Sequence, residues 1–281
     1  MAGFTETPSW PSLSCEQSSA AAVSVSYSPF VVEMSYYTIA VQAYSMTRYV
    51  VENLRLDSAV VGTAMTYWHI FVSVHGLKKV DEIVLSAACT FLASKVEHHK
   101  VRLSDIVALV FEVDPVGGVM ESWRDVVGQA ELLLCYTLKF NFQVIHPVNR
   151  INELVFDGNK AVLECAQRLF LLSFVTPLCT RASAEEIVEA LVYLAADGAE
   201  RLEVYANGFN ITSSERRDGI ISVMLDALVA MRKTTKLPKI DNVISARRKR
   251  LREQESTRPS VACSSVGTAS TDNTPCAPSV E

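Results

Sequence analysis

Apolar residues recur along most of the chain at the spacing of one face of an α-helix, and polar or helix-breaking residues interrupt this pattern at short intervals. The interval 80–98 is representative, with apolar residues in three-four spacing at Val80, Ile83, Val84, Ala87, Ala88, Phe91 and Leu92. No segment shows the alternation of apolar and polar residues that is typical of a half-buried strand. The pattern predicts an all-α protein.

The interruptions delimit nine longer helices and one short helix. The longer ones are predicted over about 34–54, 57–74, 81–98, 104–113, 120–138, 148–156, 159–175, 183–197 and 214–232, and the short one near 199–206. Asp57 and Asp81 stand at predicted helix starts, and Ser183 with Glu186 forms a capping box. Pro147 precedes the sixth helix, where its fixed backbone angle is favoured.

The helical pattern stops at His146-Pro147 and then begins again, which divides the helices into two sets of five. We therefore expect two tandem domains, one over 31–144 and one over 145–237. Residues 1–30 are rich in Ser, Thr, Pro and Ala, and residues 238–281 are first basic and then rich in Ser and Thr. Because such segments lack the apolar residues of a core, we expect flexible tails.

Charge is distributed unevenly along the chain. Residues 232–252 contain nine Lys or Arg and one Asp, a net +8 in a chain of net charge −5, so the remainder carries −13. An acidic body argues against direct binding of nucleic acid. Within the basic segment lies a candidate nuclear localisation signal, for which a solvated helix extension or a contact to RNA or acidic protein is the alternative. The candidate signal consists of Arg247, Arg248, Lys249, Arg250 and Arg252.

The sequence contains none of the patterns that accompany catalysis, metal binding or membrane insertion. Its seven cysteines are odd in number, no two have zinc-site spacing, and several lie in apolar runs, which indicates a reducing compartment. No apolar run reaches the length of about 18 residues that a membrane helix needs. Without a nucleophile motif or a Gly-rich phosphate loop, we expect no enzyme activity, no metal and no cofactor.

Two charged residues interrupt apolar stripes in the first set of helices. Lys95 continues the stripe of the third helix, and Glu131 lies inside the stripe of the fifth. A charge on a buried face is costly unless it is paired, so the two residues are candidates for an ion pair. Alternatively, both lie at the edge of their stripes and reach into water. Spacing leaves both possibilities open.

Several segments, in the right order and with the right gaps, resemble the cyclin family over about residues 35–235. Residues 63–71 (TAMTYWHIF) are similar to the second helix of a cyclin box, residues 87–97 (AACTFLASKVE) to its third helix, and residues 131–142 (ELLLCYTLKFNF) to its fifth helix and exit. The segments QVIHP at 143–147 and PLCT at 177–180, with EEIV and ALVYLA after them, resemble the transcription-type cyclins (C, K, L and T).

The resemblance implies a two-box cyclin fold and a non-catalytic subunit that activates a cyclin-dependent Ser/Thr kinase as a heterodimer. In this family a Lys of the third helix and a Glu of the fifth pair with each other and hold the kinase's C-helix, which by motif assigns Lys95 and Glu131 to that role. The other positions that match the kinase contact are Val96, Glu97, Cys135, Phe140 and Phe142. A transcription-type member is expected to be nuclear, with the cytoplasm as a second location, and to join further transcription-complex subunits.

Departures from the family pattern leave other functions open. Ile70 stands where relatives usually have Arg, the first helix matches loosely, and the docking motif of cell-cycle cyclins is not recognisable there. A cell-cycle or phosphate-sensing cyclin would keep the kinase and change the substrates. A cyclin-fold initiation factor would bind DNA and polymerase, but it predicts a basic body and often a zinc ribbon. A helical scaffold without a kinase would give no reason for the Lys95–Glu131 pair.

Overall fold

A computed structural model describes residues 34–77, 79–113, 118–146, 148–205, 209 and 213–232. Within these ranges the chain forms α-helices, one 3₁₀ turn and no strand. The helices are α1 (Met34–Asn53), α2 (Ala59–His75), α3 (Glu82–Val96), α4 (Leu103–Phe111), α5 (Gly118–Thr137), α6 (Val148–Leu154), α7 (Lys160–Ser173), α8 (Ala184–Gly198), α9 (Leu202–Tyr205) and α10 (Ser214–Arg232), with the 3₁₀ turn Pro177–Thr180 between α7 and α8.

In the first unit (α1–α5), α3 lies at the centre and contacts the other four helices. Every residue from Val84 to Ser94 is buried, so this helix is enclosed on all sides rather than on the single face that the apolar spacing suggests. Small side chains such as Ala87, Ala88 and Ala93 let the neighbouring helices approach closely. Asp81 caps the start of α3, since its carboxylate accepts hydrogen bonds from the backbone N–H groups of Ile83 and Val84.

The second unit (α6–α10) repeats this plan around α8, its own third helix, which contacts α6, α7, α9 and α10. The predicted capping box is present, because the Ser183 hydroxyl accepts from the backbone N–H of Glu186 and the Glu186 carboxylate accepts from that of Ser183. The described residues form an apolar core cluster in each unit, one mainly from α1–α5 and one mainly from α6–α10. Each unit therefore encloses a central helix in its own core.

Four helices end with the same hydrogen-bonded turn, in which a non-glycine residue has left-handed backbone angles. These residues are Arg55, His98, Lys139 and Glu200, with φ of 54°, 62°, 52° and 58°. After each of them the next backbone N–H donates to the carbonyl five residues earlier, as from His99 to Ser94 at 2.8 Å and from Phe140 to Cys135 at 3.0 Å. This hydrogen bond defines the Schellman motif, which usually places glycine where these four residues stand.

The two units are in direct contact through α1 and α10. Tyr37 of α1 belongs to the core cluster of the second unit, and its hydroxyl donates to the backbone oxygen of Val223 at 3.2 Å. In the opposite direction, Val175 and Met231 pack into the core cluster of the first unit. The units therefore share apolar packing and do not depend on the connecting chain alone.

The predicted helices are present, with bounds within a few residues of those expected from the sequence. The prediction of an all-α fold with two consecutive five-helix units is confirmed. The periodicity did not predict the 3₁₀ turn, in which Pro177 is the first residue and the Thr176 side chain accepts from the backbone N–H of Leu178. Residues 1–33 and 233–281 lie outside the described residues, and so do both predicted tails and the candidate nuclear localisation signal.

Candidate functional site

Lys95 and Glu131 form an ion pair between the last turn of α3 and the middle of α5. The Lys95 Nζ lies 2.7 Å from the Glu131 Oε1. The Lys95 side chain is 49% exposed and that of Glu131 is 16% exposed, so the pair lies at the protein surface and not in the core. The two interpretations of the sequence, an ion pair and two charges at the edge of the apolar stripes, are therefore both partly correct, because the residues pair at that edge.

The position of Lys95 is further defined by the ring of Phe91, one turn earlier on α3. The Lys95 Nζ is 3.9 Å from the centroid of this ring, which is close enough for a cation–π interaction. Contact with both a carboxylate and a ring face restricts an otherwise flexible side chain. Of the three donors of the Lys95 ammonium group, one goes to Glu131, and no other described residue accepts a hydrogen bond from this group.

Next to this ion pair, α5 and its exit expose a strip of large apolar side chains. Leu132, Tyr136 and Phe140 are 52%, 63% and 58% exposed. Glu131 and Cys135 lie one turn apart and form one row along the helix. Leu132 and Tyr136, each the next residue in sequence, form the neighbouring row. The rings of Tyr136 and Phe140 meet edge to face at 5.4 Å, and Phe140 and Phe142 are 6.1 Å apart. We call Lys95, Glu131 and this strip the α3–α5 surface.

The end of α5 determines where Phe140 is presented. Lys139 and Phe140 both have positive φ, of 52° and 58°, which turns the chain sharply away from the helix axis. Two residues later the backbone oxygen of Phe142 accepts a hydrogen bond from the Tyr67 hydroxyl of α2 at 2.6 Å. The exit is therefore held in place from both sides, which keeps Phe140 exposed in a defined position.

Of the other residues predicted to belong to this site, Cys135 and Val96 are half-buried beside it. Burial raises the pKa of the Cys135 thiol, and the Glu131 carboxylate adds to this effect, so the thiol is protonated at neutral pH. Glu97 has a different environment from Lys95. Its carboxylate accepts from the Thr63 hydroxyl of α2 at 2.5 Å, and it also lies 3.8 Å from the Nε2 of His146.

A second cluster joins α2 to the second unit at Gly62. A Cβ atom at this position would lie 2.7 Å from the ring of His146 and 2.7 Å from the ring of Phe174, so only glycine allows this approach. The Thr63 hydroxyl also contacts the His146 Nε2 at 2.8 Å. Burial lowers the pKa of His146, while the carboxylates of Glu97 and Asp57 act in the opposite direction.

His69 forms a further connection between the units and was not singled out from the sequence except as part of a motif. Its Nε2 lies 2.8 Å from the backbone oxygen of Phe174, which can only accept, so Nε2 carries the proton. Its Nδ1 then accepts from the Tyr36 hydroxyl. Burial lowers the pKa of His69 to about 4, so the ring is neutral at physiological pH. Nothing local in the sequence distinguishes this histidine from a surface one.

A cleft of about 390 Å³ lies between the units beside the segment 141–146. Its walls come from α2 (Thr66, Tyr67, Ile70), from the end of α7 and the residue after it (Phe170, Ser173, Phe174), and from the turn before α8 and the start of α8 (Cys179, Ala182, Ser183, Ala184, Ile187). No Asp, Glu, Lys or Arg is among the described residues that line it. We call this space the interunit cleft.

The described ranges of the chain contain no cluster of three His, Cys, Asp or Glu side chains that could hold a metal ion. Within them no helix has both the length and the apolar character that crossing a lipid bilayer requires.

No family model matches the chain, but it has curated relatives. It is 30% identical over 152 residues to Cyclin-K of Danio rerio, a match that covers 50% of this chain and 36% of that protein. It is 24% identical over 157 residues to Cyclin-T1-4 of Arabidopsis thaliana, covering 51% of this chain and 29% of the relative. It is 36% identical over 103 residues to Cyclin pch1 of Schizosaccharomyces pombe, covering 34% and 30%. The matches thus span about a third of these relatives' length.

The fold has a counterpart among solved structures. A chain in the structure of the CAK complex from Chaetomium thermophilum bound to ATP-gamma-S superposes with a TM-score of 0.51 at 15% identity, covering 83% of this chain and 82% of that one. At this identity the likeness concerns the fold. With the curated relatives, it confirms the predicted resemblance to the cyclin family, K and T types included, and the predicted fold of two tandem cyclin boxes.

Proposed function

We propose that the chain is a non-catalytic activating subunit that binds a cyclin-dependent Ser/Thr kinase through the α3–α5 surface. The observation that carries this proposal is the Lys95–Glu131 ion pair at the edge of an exposed apolar strip. Apolar patches rimmed by polar groups are typical of protein–protein contacts. The chain's relatives are named cyclins, which supports a kinase as the partner. The first box would comprise residues 31–144 and bind the kinase, and the second box residues 145–237.

The mechanism follows from what an inactive kinase lacks. A protein kinase needs its catalytic Lys paired with a Glu of its C-helix and an ordered activation loop before it can position the phosphates of ATP. A subunit that binds this arrangement more tightly than the inactive one shifts the population toward it. The free donors of Lys95 and the remaining lone pairs of Glu131 would bond to the backbone of the C-helix. Val96, Cys135, Phe140 and Phe142 would supply apolar contact.

Glu97 has a different part in this proposal from the one its motif position suggests. Its carboxylate already accepts from Thr63, and this bond ties the end of α3 to α2. A contact between Glu97 and the kinase stays a prediction. The bond to Thr63 would in any case hold the last turn of α3, and with it Lys95, in position.

We further propose that the kinase complex acts in transcription by RNA polymerase II and is nuclear. The similarity to proteins named Cyclin-K and Cyclin-T supports this role. The substrates would be Ser-Pro or Thr-Pro sites, such as those of the repetitive polymerase tail, and further transcription-complex subunits would join the heterodimer.

The test is to tag the full chain, purify it from its own cells, identify the kinase that accompanies it, and assay the eluate on a polymerase-tail peptide. Loss of a charge that is paired in an interface costs about 2–5 kcal/mol, so Lys95→Ala is expected to weaken kinase binding by a factor of about 30 to several thousand. Unfolding free energy should change by less than about 1 kcal/mol, because in the free chain the pair is a surface one.

Lys160→Ala is the matched control, since Lys160 also belongs to a surface ion pair, with Glu164 on α7. It should bind and activate the kinase normally. Full activation by Lys95→Ala would show that the α3–α5 surface is not the contact. A kinase that ignores the polymerase-tail peptide but phosphorylates other proteins would retain the activating role and exclude the transcriptional one. Absence of any kinase would contradict both.

A further inference from the structure

The segment 141–146, which joins the two units, has the alternating exposure of a β-strand, although no described residue pairs with it as one. Along this segment exposed and half-buried residues alternate strictly, with Asn141, Gln143 and Ile145 exposed. Alternation of this kind is the signature of an extended chain with one face packed on the protein. Its inner face is held by α2, through the bond from Tyr67 to Phe142 and the contact of Thr63 with His146.

With respect to the part of the chain that the structure describes, the backbone of this segment has unpaired hydrogen-bonding groups. Neither the N–H nor the C=O group of Val144 or Ile145 bonds to another described residue. An extended segment with such groups can pair with another extended chain. Several peptide-recognition domains bind in this way, with the backbone supplying affinity and adjacent pockets supplying specificity.

The interunit cleft supplies such a pocket directly beside the segment. Val144 and Ile145 line it together with Ile70, Phe170 and Ile187. Its volume of about 390 Å³ lies in the range of about 300–1,000 Å³ that is usual for ligand pockets, which also occur preferentially between domains. Because no described residue that lines the cleft is Asp, Glu, Lys or Arg, and burial lowers the pKa of His146, an uncharged apolar side chain fits and a charged one does not.

We propose that the interunit cleft and the segment 141–146 bind an extended peptide of a partner protein, which pairs with the backbone of Ile145 and inserts one bulky apolar side chain into the cleft. The segment begins next to Phe140, so the peptide would lie alongside any protein bound to the α3–α5 surface. The site does not depend on which kinase binds there. It gives the chain a second, sequence-selective contact for a third protein.

The proposal is tested with a fluorescent heptapeptide, Thr-Val-Thr-Phe-Thr-Val-Thr, capped at both ends, titrated with the full chain and followed by anisotropy. Its β-branched residues favour the extended form, and its phenylalanine is the apolar probe. One control peptide carries Asp in place of Phe, and another carries Pro in place of both Val, which removes backbone donors. We expect a measurable Kd for the first peptide and affinities at least about tenfold weaker for both controls.

Ala182→Trp, which fills the cleft, should abolish binding of the phenylalanine peptide. Ala161→Trp, at an exposed position on α7, is the matched control and should bind as the unaltered chain does. Because the charged and proline peptides are compared on the unaltered chain, the test does not depend on the folding of the Trp variant. Equal binding of all three peptides, or no binding of the first at millimolar concentration, would overturn the proposal. So would a dimer of the full chain in sedimentation that Ala182→Trp dissociates, because a second copy would then occupy the cleft.

Discussion

Replacing Gly62 with alanine has two opposing effects on stability, a gain in helix propensity and a steric clash of the new Cβ atom. Gly62 lies in the interior of α2, where alanine favours the helix by about 1 kcal/mol over glycine. The new Cβ would, however, lie 2.7 Å from the rings of both His146 and Phe174, well inside contact distance. The two rings would have to move apart, and the 2.8 Å contact between Thr63 and His146 would be disturbed.

The relative sizes of these effects decide whether Gly62→Ala raises or lowers the free energy of unfolding. Overpacking of a filled site costs about 1–3 kcal/mol, and a weakened hydrogen bond adds about 0.5–1.5 kcal/mol. After subtraction of the gain in helix propensity, Gly62→Ala should lose about 1–3 kcal/mol of unfolding free energy. Since a chain of this size changes its Tm by about 2–4 °C per kcal/mol, a fall of several degrees is expected.

Gly128→Ala is the matched control, because Gly128 is also inside a helix and a Cβ there has nothing within 4 Å. That variant should gain about 0.5–1 kcal/mol from propensity alone. Urea unfolding and thermal melting of both variants show whether Gly62→Ala loses stability and Gly128→Ala gains it. His146→Ala in the Gly62→Ala background should recover part of the loss, since it removes one of the clashing rings. A Gly62→Ala variant that is as stable as Gly128→Ala would refute the close contact between the units.

Two further variants test the energetics of the fold. His69 has a pKa of about 4 in the folded protein, below the usual value of about 6.5. Its contribution to the free energy of unfolding is therefore present above pH 6.5 and is lost as the pH falls toward 4. The loss between pH 7 and pH 5 is about 2 kcal/mol. In His69→Gln, which can still accept from Tyr36 and donate to Phe174, urea unfolding should show a smaller pH dependence by that amount; an unchanged pH profile would contradict it. Glu200→Gly should stabilise the chain by up to about 1 kcal/mol in thermal melts, because it removes both the left-handed strain at φ 58° and an acid at the end of α8. A loss of stability would show that this helix end is not strained.

The elements of this fold could be predicted because their signals are local. Asp81 and the Ser183–Glu186 box mark helix starts through hydrogen bonds within a few residues, and the apolar spacing of each helix repeats every turn. The same spacing singled out Lys95 and Glu131 as charges at the edge of apolar stripes, and the resemblance to cyclins selected the same pair. These signals selected the two residues, and the ion pair itself forms because α3 and α5 pack side by side.

Other properties of the site required the packed structure. Burial of α3 on all sides could not be predicted, because a stripe of apolar residues does not reveal how many helices surround it. Glu97 follows Lys95 by two residues, yet its carboxylate bonds to Thr63 and its role in the site stays a prediction. The exposure of Tyr136, in contrast to its buried neighbour Leu134, depends on which face of α5 the other helices cover.

The sequence by itself determined the helices, their division into two units and the pair of charges, since each of these depends on residues a few positions apart or on a repeated period. Only the tertiary structure decided what lies between the units. Gly62, His146 and Phe174 meet there. Ile70 and Ile187 face one cleft, although more than a hundred positions separate these two residues in the chain. Such contacts form because the two units bury apolar surface against each other. This driving force is not directional, so it produces no local periodicity and no motif in the sequence.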